Sequence, residues 1–184
     1  ANIGIIETSG VDLNAHYSTD FGWGIGGHGS TLNLGFSATF LDKYDTTPVA
    51  VLPNDVNECA GAYGATCFAP RPEVLWNLRS TLYTGDWTFT ALLRFIDETE
   101  DDQIALGTAV KSDFAEPEIG AEYYLDIGGA YQFSDGFSIN VGVSNVLDTE
   151  PNQIGDASNS QGNTWPEAYP LFGPRFFASF SYEL

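Results

Sequence analysis

The chain has no methionine, only two cysteines and few basic residues. It carries 6 Lys and Arg against 25 Asp and Glu in 184 residues, for a formal net charge of −19. A surface that binds nucleic acid needs clustered Lys and Arg, so this shortage of bases argues against a nucleic-acid partner. An acidic disordered chain would be poor in aromatic residues, but 14% of these residues are aromatic. The composition therefore favours a folded protein.

Long apolar runs are also missing. No stretch of 18 or more apolar residues occurs, which excludes a transmembrane helix. The chain begins at Ala1 without a signal peptide, so we expect it to be processed, truncated or taken from inside a longer precursor. The missing run does not exclude a membrane, because the strands of a membrane barrel alternate apolar with polar residues.

Alternation with a period of two is the pattern that the chain does have. Seven segments place apolar residues on one side and polar or small residues on the other, which predicts an all-β, antiparallel fold. Each is roughly as long as a tilted membrane strand requires. Ser80 falls on the apolar side of the third segment, which makes that strand the weakest of the set. The predicted strands cover residues 11–18, 32–40, 76–82, 87–95, 125–133, 137–144 and 175–184.

The connections between these segments alternate in length. Short turns are predicted at 84–86 and 134–136, and a Gly-rich link at 20–30 plays the same part. Long connections cover 42–74, 97–121 and 148–174. Short turns on one side and long loops on the other are typical of an outer-membrane barrel, whose short turns lie in the periplasm.

Aromatic residues gather near both ends of the predicted strands, where a membrane barrel carries aromatic girdles. The short-turn end has Phe21, Trp23, Trp87, Phe133 and Phe137, and the other end has Phe40, Phe95 and Tyr123. The alternative interpretation is that these rings fill the core of a soluble β-sandwich.

Acidic residues concentrate in the long connections, away from segments that would face lipid. The densest run places Asp97, Glu98, Glu100, Asp101 and Asp102 in six residues. It is either a solvated, self-repelling loop or a calcium site, since carboxylate oxygens in a flexible loop suit Ca²⁺. The run lacks the glycine and the terminal Glu of an EF-hand loop, so we assign no metal or cofactor and keep these residues as weak candidates.

Cys59 and Cys67 are the two cysteines, and both lie in the first long connection. A disulfide is predicted because an exported protein meets an oxidising compartment and no histidine is near to complete a metal site. No catalytic constellation is visible, because neither His16 nor His28 stands beside a nucleophile motif. We therefore expect a protein that is not an enzyme.

Two C-terminal segments resemble the TonB-dependent outer-membrane receptors. Residues 141–151, VGVSNVLDTEP, resemble that family's NLFD-x-x-P segment, and residues 169–175 resemble the Y-x-x-x-GR start of its last strand. Pro174 separates Gly173 from Arg175, which departs from the family pattern. Residues 9–13 resemble its GxD strand, and residues 59–79 resemble a loop and strand of a proteobacterial branch.

The resemblance implies that residues 1–184 are the C-terminal part of a larger transmembrane β-barrel, about seven strands of about 22, without the plug domain. It implies TonB-driven active import of a nutrient such as a siderophore, vitamin or oligosaccharide, in the outer membrane of a Gram-negative bacterium. The partners implied are outer-membrane lipid, the remaining strands and plug, TonB through the plug, the barrel-assembly machinery and a small nutrient ligand.

Within that architecture three sets of residues gain an expected role. Inward-facing polar residues are expected to line the lumen: Asn33, Arg79, Arg94, Asp126 and Asn140. Three loop aromatics are expected to contact the ligand: Tyr63, Trp165 and Tyr169. The C-terminal residues Phe180, Tyr182 and Leu184 are expected to form the assembly signal, with Leu184 in place of the usual Phe.

Two other functions remain open from the sequence. One is a non-transporting outer-membrane barrel, such as an adhesin or structural surface protein. The other is a soluble β-sandwich that binds carbohydrate.

Overall fold

A computed structural model describes residues 4–49, 52, 54–133, 136–155 and 164–182. The protein is all-β. Its strands are β1 (Ile5–Phe21), β2 (Ser30–Thr47), β3 (Asn57–Glu58), β4 (Ala62–Tyr63), β5 (Val74–Thr84), β6 (Trp87–Ile96), β7 (Thr99–Asp101), β8 (Glu118–Ile119), β9 (Glu122–Gln132), β10 (Phe137–Ser144) and β11 (Arg175–Tyr182). The helical elements are α1 (Asp102–Ala105) and two single 3₁₀ turns, Ile25–Gly27 and Lys111–Asp113. No helix in these described ranges has the length and apolar character needed to cross a membrane.

The main sheet is an antiparallel meander in the order β1-β2-β5-β6-β9-β10-β11, with the short β3 attached to β2. Its seven principal strands coincide with the seven alternating segments, which confirms the predicted all-β, antiparallel class. Among the described residues β1 and β11 each pair on one side only, so the sheet is open rather than closed into a barrel. A second, three-stranded sheet joins β4, β7 and β8.

All three long connections lie at one end of the main sheet. Connections between β2 and β5, β6 and β9, and β10 and β11 lie there, whereas residues 22–29 and 85–86 and the link from β9 to β10 are at the opposite end. The tight turn between β5 and β6 depends on Gly85, whose φ of 58° is costly for residues with a side chain. The predicted one-sided arrangement of connections is confirmed, with residues 134 and 135 lying outside the described residues.

The first two strands are longer than the sequence pattern predicts. β1 has 17 residues and β2 has 18, and β2 ends at Thr47 rather than before Asp42. The pairing register shifts between Ser9 and Gly10, which pair with Lys43 and Leu41. This β-bulge leaves Asp42 without a partner residue and breaks the period-two pattern. The prediction of a loop from Asp42 was wrong because the strand continues in a changed register with polar residues.

The register assigns every residue of the main sheet to one of two faces, because residues directly opposite on paired strands share a face. One face, the apolar face, presents rows such as Leu13, Ala38, Trp76, Phe95 and Tyr123. The other, the polar face, carries every charged residue of the strand segments 10–41, 74–84, 87–96, 122–132, 137–144 and 175–182: Asp12, Asp20, Arg79, Arg94, Glu122, Asp126 and Arg175. Beyond the bulge the register places Glu7, Lys43 and Asp45 on the side of Ser9 and Val11, at the long-connection end of the apolar face. Within the described residues no second layer is stacked across the apolar face.

Rings form two belts on the apolar face. At the short-turn end Trp87 lies 4.6 Å from Tyr131, Tyr131 lies 4.6 Å from Phe133, and the contacts continue through Phe137 to Phe180. Near the other end a second belt joins four rings: Phe36, Trp76, Phe95 and Tyr123. Trp87 and Phe95 lie eight residues apart on β6, or about 27 Å along the strand.

The long connections fold into a compact unit, here called the cap: the described parts of 48–73, 97–121 and 145–174. The cap has its own core of Tyr63, Ile119, Ile154, Trp165 and Tyr169, and a second cluster surrounds the two cysteines. The cap lies over the polar face. On the polar face, Ile96 packs against the cap core and Tyr124 is fully buried. Tyr123, which is on the apolar face, is 47% exposed.

Candidate functional site

The five residues expected to line a lumen share one face. Direct pairs connect Arg79 with Leu92 and Leu92 with Asp126, and the same register places Asn33, Arg94 and Asn140 on that side. Their common placement on the polar face follows from strand alternation, so it could be read from the sequence. That this face lines a lumen stays a prediction.

Arg94 and Asp126 form an ion pair that connects the sheet to the cap. Arg94 Nη2 lies 3.2 Å from Asp126 Oδ2, and the guanidinium also lies over the ring of Tyr124. Asp126 Oδ1 accepts a hydrogen bond of 2.8 Å from the backbone N–H of Asn145. The pair therefore fixes the point where β10 enters the last long connection.

The hydrogen bonds of Asn145 give the NVLD segment, residues 145–148, a structural role. Its side chain donates to the carbonyls of Thr149 and Phe172 and accepts from the N–H of Thr149, and it is 3% exposed. Its φ of 53° is a conformation that asparagine tolerates better than most residues. Gly173 completes the arrangement, because a Cβ there would lie 2.6 Å from Asp148 Oδ1. Asn145 and Gly173 thus hold the two ends of the last long connection together.

Replacing Asn145 by alanine should open this connection. The change removes three side-chain hydrogen bonds at a buried site and places alanine at positive φ, for a cost of about 3 kcal/mol. Hydrogen exchange at the Thr149 amide would measure it, with Asn152→Ala as the control because that side chain makes one long bond of 3.4 Å. Equal exchange rates in the two variants would contradict the assigned role.

The three aromatics expected to contact a ligand are buried in the cap core. Tyr63, Trp165 and Tyr169 are 0%, 5% and 1% exposed and pack in one cluster. The Tyr169 hydroxyl lies 3.4 Å from Thr99 Oγ1. Burial raises the pKa of the Tyr63 hydroxyl, and the nearby Asp101 raises it further. These rings form a core because loop aromatics pack together once the loops fold against each other. Contact of the three residues with a ligand stays a prediction.

Two acids of the acidic run are buried in the cap, and the others are accessible to solvent. Asp101 and Asp102 are 2% and 1% exposed. Asp101 accepts from the N–H of Gln103 and caps α1. Asp102 Oδ2 accepts from the N–H groups of Thr66 and Cys67 at 2.6 and 2.9 Å. Both acids act as structural acceptors, which a one-dimensional run of carboxylates does not reveal.

The remaining acids of the run line an open cavity of about 260 Å³. Asp97, Glu98 and Glu100 share it with Glu73, Glu118 and Lys111. Lys111 Nζ lies 2.6 Å from Glu118, which raises the pKa of the lysine. Among the described residues no group of three His, Cys, Asp or Glu side chains is arranged to hold a metal ion.

The predicted disulfide is present. Cys59 and Cys67 are bonded, with a Cα–Cα distance of 5.4 Å, and both are buried. The bridge closes the loop that contains β4 and presents Cys67 N–H to Asp102.

Reduction of the disulfide should loosen this part of the cap without unfolding the main sheet. Closing so short a loop contributes about 2–3 kcal/mol in the chain-entropy model. Intact mass with and without reductant should differ by two hydrogens, and proteolysis should then cut between the cysteines. An unchanged mass would refute the disulfide.

The expected assembly signal is described only in part. Phe180 and Tyr182 lie on the apolar face of β11 and are 67% and 62% exposed. Leu184 lies outside the described residues.

Comparison of the chain with protein-family models, with curated proteins and with solved structures found no match.

Proposed function

We propose that this chain is part of the wall of a TonB-dependent outer-membrane receptor, which imports a small nutrient. The observation that carries the proposal is the uncovered apolar face bounded by two aromatic belts. In water such a face would be an aggregation surface, since soluble monomers rarely expose large contiguous apolar patches. In a bilayer it is the lipid-facing surface: belts about 27 Å apart along a strand tilted by about 40° are separated by about 21 Å along the membrane normal, which is comparable to the apolar band of about 25 Å in such barrels.

The distribution of charge supports the same orientation. From residue 10 to the bulge at Asp42, and in β5, β6, β9, β10 and β11, every charged strand residue lies on the polar face, although neighbouring positions on the strands alternate between faces. The charged residues on the other face, Glu7, Lys43 and Asp45, lie beyond the bulge at the long-connection end. A charge near the middle of the lipid-facing surface costs about 2–4 kcal/mol. In a soluble sheet with both faces in water, placing the charges on one face would bring no gain in stability.

The open edges supply the argument for a larger barrel. β1 and β11 each leave one row of backbone N–H and C=O groups unpaired by described residues. Hydrocarbon provides no hydrogen bonds for them. Further strands must pair with both edges, and a barrel of about 22 strands, as the family resemblance implies, satisfies this requirement.

The cap supports a receptor rather than a simple pore. It is folded around its own core and lies over the polar face at the long-connection end. In a barrel this position is the mouth of the lumen on the extracellular side, where an incoming nutrient arrives first.

Two experiments test the proposal. Membrane fractionation should recover the protein in the outer membrane. Recovery in the soluble fraction without detergent would contradict the proposal. Reading the coding sequence upstream of Ala1 should reveal a plug and a TonB box. An upstream frame with neither would favour the non-transporting barrel instead.

A further inference from the structure

Five of the six basic residues have a partner in this strongly acidic chain. Lys43 contacts Glu7 and Asp45, Arg94 contacts Asp126, Lys111 contacts Glu100 and Glu118, and Arg71 and Arg175 lie over the rings of Tyr44 and Phe172. Arg79 makes no hydrogen bond, ion pair or ring contact with any described residue. Among the described residues Arg79 is thus a guanidinium without a partner, in a chain with a net charge of −19.

Arg79 stands beside a notch in the polar face. The register aligns His16, Gly35 and Arg79 in one row across three adjacent strands. Strands lie about 4.8 Å apart, so the imidazole and the guanidinium flank a gap where Gly35 offers no side chain. The backbone of Gly35 is not in the left-handed region, and a Cβ there would meet only the His16 ring, at 3.5 Å. The glycine is therefore not required by backbone geometry, and the missing side chain leaves room that the His16 ring partly covers.

Further donors surround the notch. The next row places Asn14, Ser37 and Asn77 beside one another. Together with His16 and Arg79 they line an open depression of about 480 Å³. The acids of β1 lie two rows away in each direction, where Asp12 and Asp20 accept hydrogen bonds from Thr39 and Thr31.

We propose that this notch binds the carboxylate of a small organic acid. The planar guanidinium of Arg79 presents paired N–H donors that match the two oxygens of a carboxylate, and His16 and the asparagine amides supply further donors. The same sheet already contains one such pair, Arg94 with Asp126. A carboxylate suits the site better than phosphate, since the acidic chain repels a second negative charge. The site is assigned from the polar face alone and does not depend on the receptor proposal.

Calorimetric titration of the full-length protein, expressed from its natural reading frame and purified in detergent micelles, with the monocarboxylate butyrate tests the site. We expect heat of binding with butyrate and none with its neutral amide. Arg79→Gln should weaken binding about tenfold, since a charge-assisted bidentate contact is lost. Gly35→Val, which fills the notch but keeps every charge, should weaken it similarly. Arg175→Gln is the matched control and should leave the affinity within about twofold.

The outcomes that overturn the proposal are distinct. Absence of butyrate binding, or an equal loss in the Arg79 and Arg175 variants, refutes the notch. Inorganic phosphate binding more tightly than butyrate with the same dependence on Arg79 refutes the carboxylate assignment. Each variant must keep the circular dichroism of the parent chain, and Gly35→Val separates loss of the site from loss of charge. Localisation experiments are unaffected by any of these results, so failure of the notch and failure of the receptor proposal are separable.

Discussion

Ala91→Arg should prevent assembly of the protein in a membrane. Ala91 lies in the middle of β6, and the register places it on the apolar face opposite Ser80 and Ile127. An arginine there would project into the centre of the lipid-facing surface at a cost of about 2–4 kcal/mol. Because this cost is a large fraction of a net stability of about 5–15 kcal/mol, we expect much less of the folded, heat-modifiable form in the outer membrane.

Thr90→Arg is the matched control for this prediction. Thr90 is the neighbouring residue on the same strand, and it lies on the polar face opposite Thr81 and Gly128. The two variants have the same added charge, the same strand and nearly the same depth, and only the face differs. Both would be expressed from the natural reading frame in a Gram-negative host. Equal yields of assembled protein from both variants would contradict the assignment of faces.

Asp102→Ala should unfold the cap around the disulfide. Its carboxylate accepts two backbone hydrogen bonds at a site that is 1% exposed. The alanine variant leaves the N–H groups of Thr66 and Cys67 without their acceptor, and we expect a local cost of about 3 kcal/mol. Hydrogen exchange at these two amides measures the effect, since local opening exposes them to solvent.

Two variants separate hydrogen bonding from charge at this position. Asp102→Asn keeps an acceptor oxygen and should cost less than the alanine variant. Glu98→Ala removes an exposed carboxylate from the same acidic run and should change stability by less than about 0.5 kcal/mol. If Glu98→Ala accelerates exchange at Cys67 as much as Asp102→Ala does, the acid run acts through its charge and the structural role of Asp102 is wrong.

Much of the main sheet could be predicted because strand alternation is a local property. Each of the seven strands carries its own period-two signal, and the glycine at the β5–β6 turn requires only three residues of context. The faces of Arg94 and Asp126 followed from the same alternation. The extension of β2 to Thr47 did not, because the bulge near Asp42 reverses the phase and the pairing residues are polar.

The cap could not be predicted for a different reason. Its core joins Tyr63, Ile119 and Trp165, which come from three separate connections, and no local period marks such contacts. Asp102 and Glu98 are both acids of the same run. Asp102 accepts backbone hydrogen bonds in the interior, whereas Glu98 is exposed. Only the fold distinguishes a carboxylate that supports the chain from one that meets solvent.

The notch at Gly35 could be predicted from the sequence only in part. The alternation places His16, Gly35 and Arg79 each on the polar side of its own strand. Their meeting in one row depends on the register between three strands, which turn lengths and pairing determine together. The sequence therefore contained the chemistry of the site without its location.

The apolar face can be tested by tryptophan fluorescence in vesicles whose acyl chains carry bromine. Two single-tryptophan forms would be compared, one keeping Trp87 on the apolar face and one keeping Trp165 in the cap core, with the other three of the four tryptophans replaced by Phe. Bromine quenches only rings that it contacts. We predict strong quenching of Trp87 and little of Trp165. Unquenched Trp87 in a folded, vesicle-bound protein would contradict a lipid-facing sheet.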